Sequence, residues 1–218
     1  MSIENEKTLE VYNKKAKTYI ETGIKHDNLN PQKAKFKREQ LEKFIKTNIG
    51  ILPKGANVFE IGSADGTNAE YIKKLGYEIT ASDIAEDFVN SIKSKEINTI
   101  QFNVLKDEFN KKYSAIFCWR VFVHFTENDI LKVLKKVYDA LEKDGIFIFN
   151  VINRETREVD EEWVDFPNEY HMGAKRYYKY FKEKDLNEII TKVGYKIYNF
   201  HKEGGENNNK WLVYVLKK

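Results

Sequence analysis

The feature that most constrains the fold is an alternation. From about residue 57, short apolar runs of strand character take turns with segments of helical periodicity, and the connections are brief. Val58–Ile61, Glu78–Ala81, Thr99–Phe102, Tyr113–Trp119 and the run IFIFNV read as strands. Asn68–Leu75, Ala85–Ser94 and DILKVLKKVYDAL read as helices. Gly76 is placed to stop the first of these helices, and Thr126-Glu127-Asn128-Asp129 carries a capping-box pattern ahead of the third. Strand and helix in succession predict an α/β fold with a parallel sheet covered on both faces. EKDLNEIITKV then reads as a helix stopped by Gly194. YKIYNFH and KWLVYVLKK, joined by the polar EGGENNN, predict an antiparallel closing hairpin.

Two stretches depart from the rhythm. Residues 1–52 read as mostly helical, with Phe36, Leu41, Phe44, Ile45 and Ile49 at helical spacing in a Lys-rich sequence. Residues 152–182 are polar, charged and weakly periodic, and carry Trp163, Phe166, Tyr170, Tyr177, Tyr178 and Tyr180. We expect an insertion over the carboxyl edge of the sheet, acting as a lid over an acceptor site. An ordinary connecting loop with surface aromatics is the plainer reading, although loops of this length commonly have a role. The acids Asp160, Glu161, Glu162 and Asp165 read as a solvated run, so no metal site is expected.

Composition sets the remaining bounds. A hydrophobic content of 41% is enough for a core, and the length suits one domain, 1–218. Lys and Arg number 37 against 34 acids, so no global field calls for nucleic acid or an anionic membrane. The single cysteine, Cys118, excludes an internal disulfide and a cysteine-based zinc site. No apolar run approaches the roughly 20 residues of a membrane helix, and MSIENEKTLE has no apolar signal core. A soluble, cytoplasmic protein is expected.

The segment VFEIGSADGTNAEYI lies at a strand-to-helix junction, with Gly62 and Gly66 spaced two and two about Ala64. The dinucleotide fingerprint spaces its glycines two and three apart. Here an acid, Glu60, also stands in the strand end, where it would repel a pyrophosphate and attract an ammonium group. Asp83, 23 positions on, ends the next strand. Strand-helix-strand geometry sets it beside the first turn, within reach of both hydroxyls of a ribose. A capping role with Glu86 is the local alternative.

These residues resemble the class I S-adenosylmethionine-dependent methyltransferases. The likeness is carried by Glu60-Ile61-Gly62-Ser63-Ala64-Asp65-Gly66 and Asp83-Ile84. YSAIFCW followed by RVFVHF, LEKDGIFIFNV and the terminal GYKIYNF and KWLVYVLKK also match, so it covers about Tyr12 to Lys217. The resemblance implies a Rossmann-like methyltransferase fold: a seven-stranded, mostly parallel sheet with its last strand reversed and helices on both faces. It implies S-adenosyl-L-methionine as cofactor, with the Gly62–Gly66 loop around its methionine part and Asp83 on its ribose. Ala64 stands where the family has a glycine, at an expected minor cost. Asn103, with Val104, stands where the family often places an Asp toward adenine; a turn residue at a strand end is the competing reading. Tyr12 to Tyr19 resembles the Y-x-x-x-A-x-x-Y signature of an N-terminal flap, which implies Tyr19 near the methionine carboxylate or the sulfonium. Trp119 and Arg120 follow the fourth strand, with backbone beside the cofactor by analogy.

For chemistry, His124 lies just past the fourth strand and is the best-placed base, with His171 in the insertion next. A histidine bonded to loop backbone is the plainer reading of His124. The expected acceptor is a small molecule, a metabolite or a glycan precursor, methylated at O or N. An RNA methyltransferase, a non-catalytic nucleotide-binding module and an NAD-dependent oxidoreductase are the competing readings. Lys175-Arg176 is too brief for a basic stripe, so nucleic acid is disfavoured.

Overall fold

The computed structural model describes residues 1–165, 172–205, 207 and 209–218. Two helices open the chain, α1 (Ile3–Leu29) and α2 (Pro31–Ile49). Then come β1 (Asn57–Ile61), α3 (Thr67–Lys74), β2 (Glu78–Asp83), α4 (Glu86–Lys93), β3 (Asn98–Gln101) and β4 (Tyr113–Cys118). A 3-10 turn, Phe122–His124, leads to α5 (Glu127–Ala140) and the long β5 (Leu141–Asn153), which a second 3-10 turn, Arg154–Thr156, follows. The chain continues through β6 (Glu161–Val164), β7 (Arg176–Phe181), α6 (Glu183–Val193), β8 (Lys196–Glu203) and β9 (Trp211–Lys217).

Strands β3, β2, β1, β4 and β5 pair in that order and in parallel. β9 runs antiparallel to β5 and pairs on its other side with β8, also antiparallel. This is the expected parallel sheet with a reversed last strand. The periodicity of β1, β4 and β5 shows why both faces are covered. Phe59, Ile116, Cys118, Phe147 and Phe149 belong to one apolar layer with α5 and α6. Their neighbours Val58, Ala115, Phe117, Ile146 and Ile148 belong to the other, with α2 and α3. Strands buried on both faces read as continuous apolar runs, as these do. Each fully buried Phe among them contributes roughly 1.5–3 kcal/mol.

The caps fall where local chemistry puts them. Thr126 Oγ1 accepts from Asp129 N at 3.2 Å ahead of α5, and Gly194 ends α6 at φ +110°. The N-cap of α4, however, is Ala85, two residues past Asp83.

Residues 152–182 form more than a connecting loop. β6 and β7 form an antiparallel pair from Glu161↔Lys179 to Val164↔Arg176. Ile152 pairs with Trp211 of β9 on one side and with Tyr180 of β7 on the other. β7 therefore extends the sheet on the β4 side, just beyond the carboxyl end of β4. Glu161 and Glu162, read from sequence as solvated, also accept from the hydroxyls of Tyr177 and Tyr180, and Glu161 remains exposed. Tyr178 and Tyr180 are buried with Val123 and Ile152, which makes them anchors of the hairpin. Phe166, Tyr170 and His171 lie outside the described residues. Among the described residues no helix is long and apolar enough to cross a membrane.

Candidate functional site

The turn between β1 and α3 is stitched to β2. Ser63 N donates to Ser82 O at 2.8 Å, Ser82 N to Ser63 Oγ at 3.1 Å, and Ser82 Oγ to Glu60 O at 2.7 Å. Gly62 and Gly66 take φ of +72° and +78°, which a side chain disfavours. Their small size serves the protein's own packing as well. A Cβ on Gly62 would sit 2.3 Å from Val121 Cγ2, and one on Gly66 would sit 3.0 Å from Ile92 Cγ1. The close approach expected of a ligand at Gly62 is made, in this structure, by Val121. Ala64 also lies in the left-handed region, at φ +46°. Here a glycine would be free of strain, so the departure from the family pattern carries a backbone penalty of about 1–2 kcal/mol.

Glu60 follows Val58 on the α3 face of β1 and is 1% exposed. Its Oε1 accepts from Asn68 Nδ2 at 3.2 Å, while Oε2 has no donor in hydrogen-bonding geometry among the described residues. Burial pushes its pKa up to about 7; Ser63 and Asn68 partly offset the rise, and Asp65 and Asp83 add to it. A buried carboxylate with an unsatisfied oxygen is costly unless a cation or donor completes it. Asp83 closes the other side of the turn. Its Oδ2 accepts from Ala64 N at 2.9 Å and its Oδ1 from Ala85 N at 3.1 Å. Burial raises its pKa to about 6, opposed by the N–H groups of Ala64, Ala85 and Ile84. An ionised carboxylate has lone pairs left for two hydroxyls beyond these bonds. The residues therefore fit a ligand with an ammonium at one end and a ribose at the other.

The flanking candidates divide. Ile84 carries a carbonyl that accepts from Gln101 Nε2 at 2.8 Å. Asn103 behaves as a turn residue: its Oδ1 accepts from Leu105 N at 3.0 Å and its backbone N donates to Asp107 Oδ2 at 2.7 Å. Val104 is buried in the α5-side layer. Trp119 turns to the opposite face, stacked on Phe117 at 5.6 Å and beside Phe44 of α2 at 5.5 Å. Its ring is packing, because the α2-side layer needs an apolar cover there. Arg120, at φ +60°, donates its backbone N to Asn150 Oδ1 at 2.7 Å and lays its guanidinium over the Trp211 ring at 5.3 Å. The side chains of this segment thus serve β9 and α2.

α1 crosses above. Tyr19 meets Phe88 edge-on at 5.6 Å and packs in one cluster with Ala16, Ala64 and Ala85. It therefore lies against the start of α4, on the cluster that Ala64 of the glycine turn also packs against. Tyr12, one face further along, lies 6.0 Å from Tyr19 and reaches His124. His124 is buried, with Nδ1 2.7 Å from Tyr177 O and Nε2 2.9 Å from the Tyr12 hydroxyl. Burial lowers its pKa to about 3; the Tyr177 carbonyl opposes that, and the Arg176 cation adds to it. Such an imidazole is engaged at both nitrogens and, so buried, holds a proton poorly. Arg176, 1% exposed, donates Nη1 to the Tyr12 hydroxyl at 3.2 Å and reaches Asp165 at 3.5 Å. Sequence reasoning set Arg176 aside because no local pattern surrounds it. Tyr12 at least had the seven-residue spacing to Tyr19 as a signal.

The fold and this turn define a class. The family described as a methyltransferase domain matches residues 34–199. The chain belongs to that family and, with it, to the class I S-adenosylmethionine-dependent methyltransferases, enzymes whose cofactor is S-adenosylmethionine. It is 23% identical over 167 residues to TehB of Haemophilus influenzae, named a probable S-adenosyl-L-methionine-dependent methyltransferase. That match covers 74% of this chain and 57% of TehB, so the chain spans little more than half of that relative's length. Among solved structures it resembles an S-adenosylmethionine-dependent methyltransferase from Clostridium acetobutylicum, with TM-score 0.71, 13% identity and coverage of 92% of this chain and 98% of that one. It also resembles magnesium protoporphyrin IX methyltransferase from Synechocystis with bound S-adenosylmethionine, with TM-score 0.72, 11% identity and coverage of 100% and 98%. At such identities these two likenesses speak for the fold.

Proposed function

We propose that this protein is a cytoplasmic enzyme transferring a methyl group from S-adenosylmethionine to O or N of a small-molecule acceptor, a metabolite or a glycan precursor. The observation that carries it is the buried Glu60 carboxylate, whose Oε2 lacks a donor among the described residues, held across the glycine turn from Asp83. When bound, S-adenosylmethionine supplies a methyl group activated on a sulfonium. In its ionised form Glu60 attracts the ammonium of the methionyl part, and Asp83 accepts from the ribose hydroxyls. Tyr19 offers its hydroxyl or ring face to the same region, and α1 keeps water away from it. The near balance of charge favours a small acceptor over RNA. The magnesium protoporphyrin enzyme, whose acceptor is also a small molecule, supports the same reading.

A binding module without turnover is the second reading, favoured by the engagement of both His124 nitrogens. Titration calorimetry with S-adenosylmethionine and S-adenosylhomocysteine tests the first step. Saturable binding of both is expected, and heats indistinguishable from dilution at high micromolar ligand would sink the proposal. Transfer of labelled methyl to acceptor pools then separates an enzyme from a module.

A further inference from the structure

We propose that the elbow between α1 and α2 seats the protein on an anionic lipid bilayer, with its apolar tip entering the headgroup layer and its lysines facing the lipid phosphates. The inference is independent of the methyltransferase reading, and its test needs no cofactor.

The elbow stands off the body. Ala16 is the last buried residue of α1 and Ile45 the first of α2, and no residue between them is buried. From Ile24 to Gln40 only His26 and Ala34 are even half-buried. The joint is closed by local bonds. Asn30 Nδ2 donates to His26 O at 3.1 Å, and Asn30 N donates to the carbonyls of His26 and Asp27. Pro31 opens α2, where its missing N–H costs nothing. The corner thus holds its shape with no core beneath it.

What it carries is unlike the rest of the surface. Among the described residues the three most exposed large apolar side chains are Leu29, Phe36 and Ile24, at 71%, 61% and 57%. Leu29 ends α1, and Ile24 and Phe36 stand on either side of Asn30, each about 9 Å from it along its own helix. Lys25, Lys33, Lys35, Lys37 and Arg38 interleave with them in sequence, against Asp27 and Glu39. These are five of the chain's 37 cations and two of its 34 acids, which leaves 32 of each elsewhere. The near balance of the whole chain therefore hides one short stretch whose excess equals the entire net charge of +3. Local ion pairs, such as Lys35 with Glu39 at 3.9 Å, redistribute that excess without removing it.

The combination selects the occupant. Cations alone attract any polyanion. Aliphatic side chains do not stack on bases, so Ile24 and Leu29 have no role on RNA. A bilayer takes up both features. The apolar side chains bury at the headgroup boundary, and the lysine stems lie along it with their ammonium groups on the phosphates. A second copy of this chain would repel through the same elbow. Its acidic run beside the exposed Val159 and Trp163 is the matching alternative. Those carboxylates already have partners of their own: Asp160 accepts from Arg154, Glu161 from Tyr177 and Glu162 from Tyr180.

Vesicle flotation of the full chain tests the proposal. Vesicles of phosphatidylcholine with about one-third phosphatidylglycerol are set against phosphatidylcholine alone. We expect binding to the anionic vesicles only. It should fade as salt rises from about 0.1 M to about 1 M, where the screening length shortens from about 10 Å to about 3 Å. Lys33→Glu with Lys35→Glu should lower the affinity at least about 10-fold, and Leu29→Gln with Phe36→Gln about as much. Neither pair replaces a buried side chain, so far-ultraviolet circular dichroism should not change. Phe36→Trp should keep the binding and show blue-shifted emission on the anionic vesicles alone. Equal binding to both vesicle types, binding untouched by either pair, or no binding overturns the inference. Binding of homopolymer RNA in place of vesicles also overturns it. So does a dimer in sedimentation velocity, in place of vesicle binding, that the same changes dissociate.

Discussion

The glycine turn and the Tyr12 cluster lie on either side of Tyr19, and they are built in opposite senses. On the turn side, burial raises the pKa of Glu60 and Asp83, and the neighbouring charges are negative. On the Tyr12 side, burial lowers the pKa of His124, and the neighbouring charge is the Arg176 cation. Desolvation is the leading cause on both sides, so each group is pushed toward its neutral form. The sign of the neighbours decides what is welcome: a cation beside Glu60, and no further positive charge beside His124. The two regions also differ in how they are assembled. Residues 60–66 and Asp83 belong to one strand-helix-strand unit, whereas Tyr12, His124 and Arg176 come from three elements far apart in sequence.

Substitutions on the turn side should act on folding and cofactor binding and leave the His124 signals in imidazole 15N spectra unchanged; any that shifts His124 breaks the contrast. The largest effect is expected from Gly62→Ala, which forces a side chain into a left-handed backbone and against Val121. A loss of roughly 2–4 kcal/mol in denaturant unfolding is expected, and a loss under about 1 would mean that Val121 yields freely.

Glu60→Gln sharpens the electrostatic half. The folded pKa of about 7 lies above the ordinary carboxylate value of 4.5, so ionisation of Glu60 costs the unliganded fold stability as pH rises from 4.5 to 7, and the cost levels off above that. The variant should therefore gain at most about 3–4 kcal/mol near pH 8, from a shift of about 2.5 pH units at about 1.4 kcal/mol each, and nothing near pH 4. It should lose cofactor affinity over the same range. Equal stability of the two proteins across that window would place Glu60 in water.

Asp83→Ala should weaken S-adenosylhomocysteine binding by roughly 1.5–3 kcal/mol, read by calorimetry, and an unchanged affinity would take Asp83 out of the site. The smallest effect is Ala64→Gly. Relief of the φ of +46° should stabilise the protein by about 0.5–1 kcal/mol in thermal unfolding, after the greater freedom of glycine in the unfolded chain is counted.

The sheet was legible because its information is local. The runs around Phe59, Ile116 and Phe147 are apolar whatever surrounds them, and Gly76, Thr126 and Gly194 end or start helices through bonds within a few residues. The turn from Glu60 to Gly66 was legible for the same reason, and Asp83 followed from the fixed geometry of strand-helix-strand. The strand pair within residues 152–182 was not legible, because the pairing of β7 with the end of β5 lies outside any local pattern. Trp119 and Asn103 stood at the right sheet edge, but packing on Phe44 and an Asx turn claimed their side chains.

By itself, then, the order of apolar runs, glycines and acids determined an α/β sheet with an anion-lined turn after its first strand. Only the tertiary structure decided that Val121 covers Gly62, that Glu60 keeps an unsatisfied oxygen, and that Tyr12, His124 and Arg176 share one hydrogen-bonded cluster. The physical reason is range: backbone periodicity and turn chemistry are set by neighbours along the chain, while burial and pairing of a polar group depend on whichever distant segment closes over it.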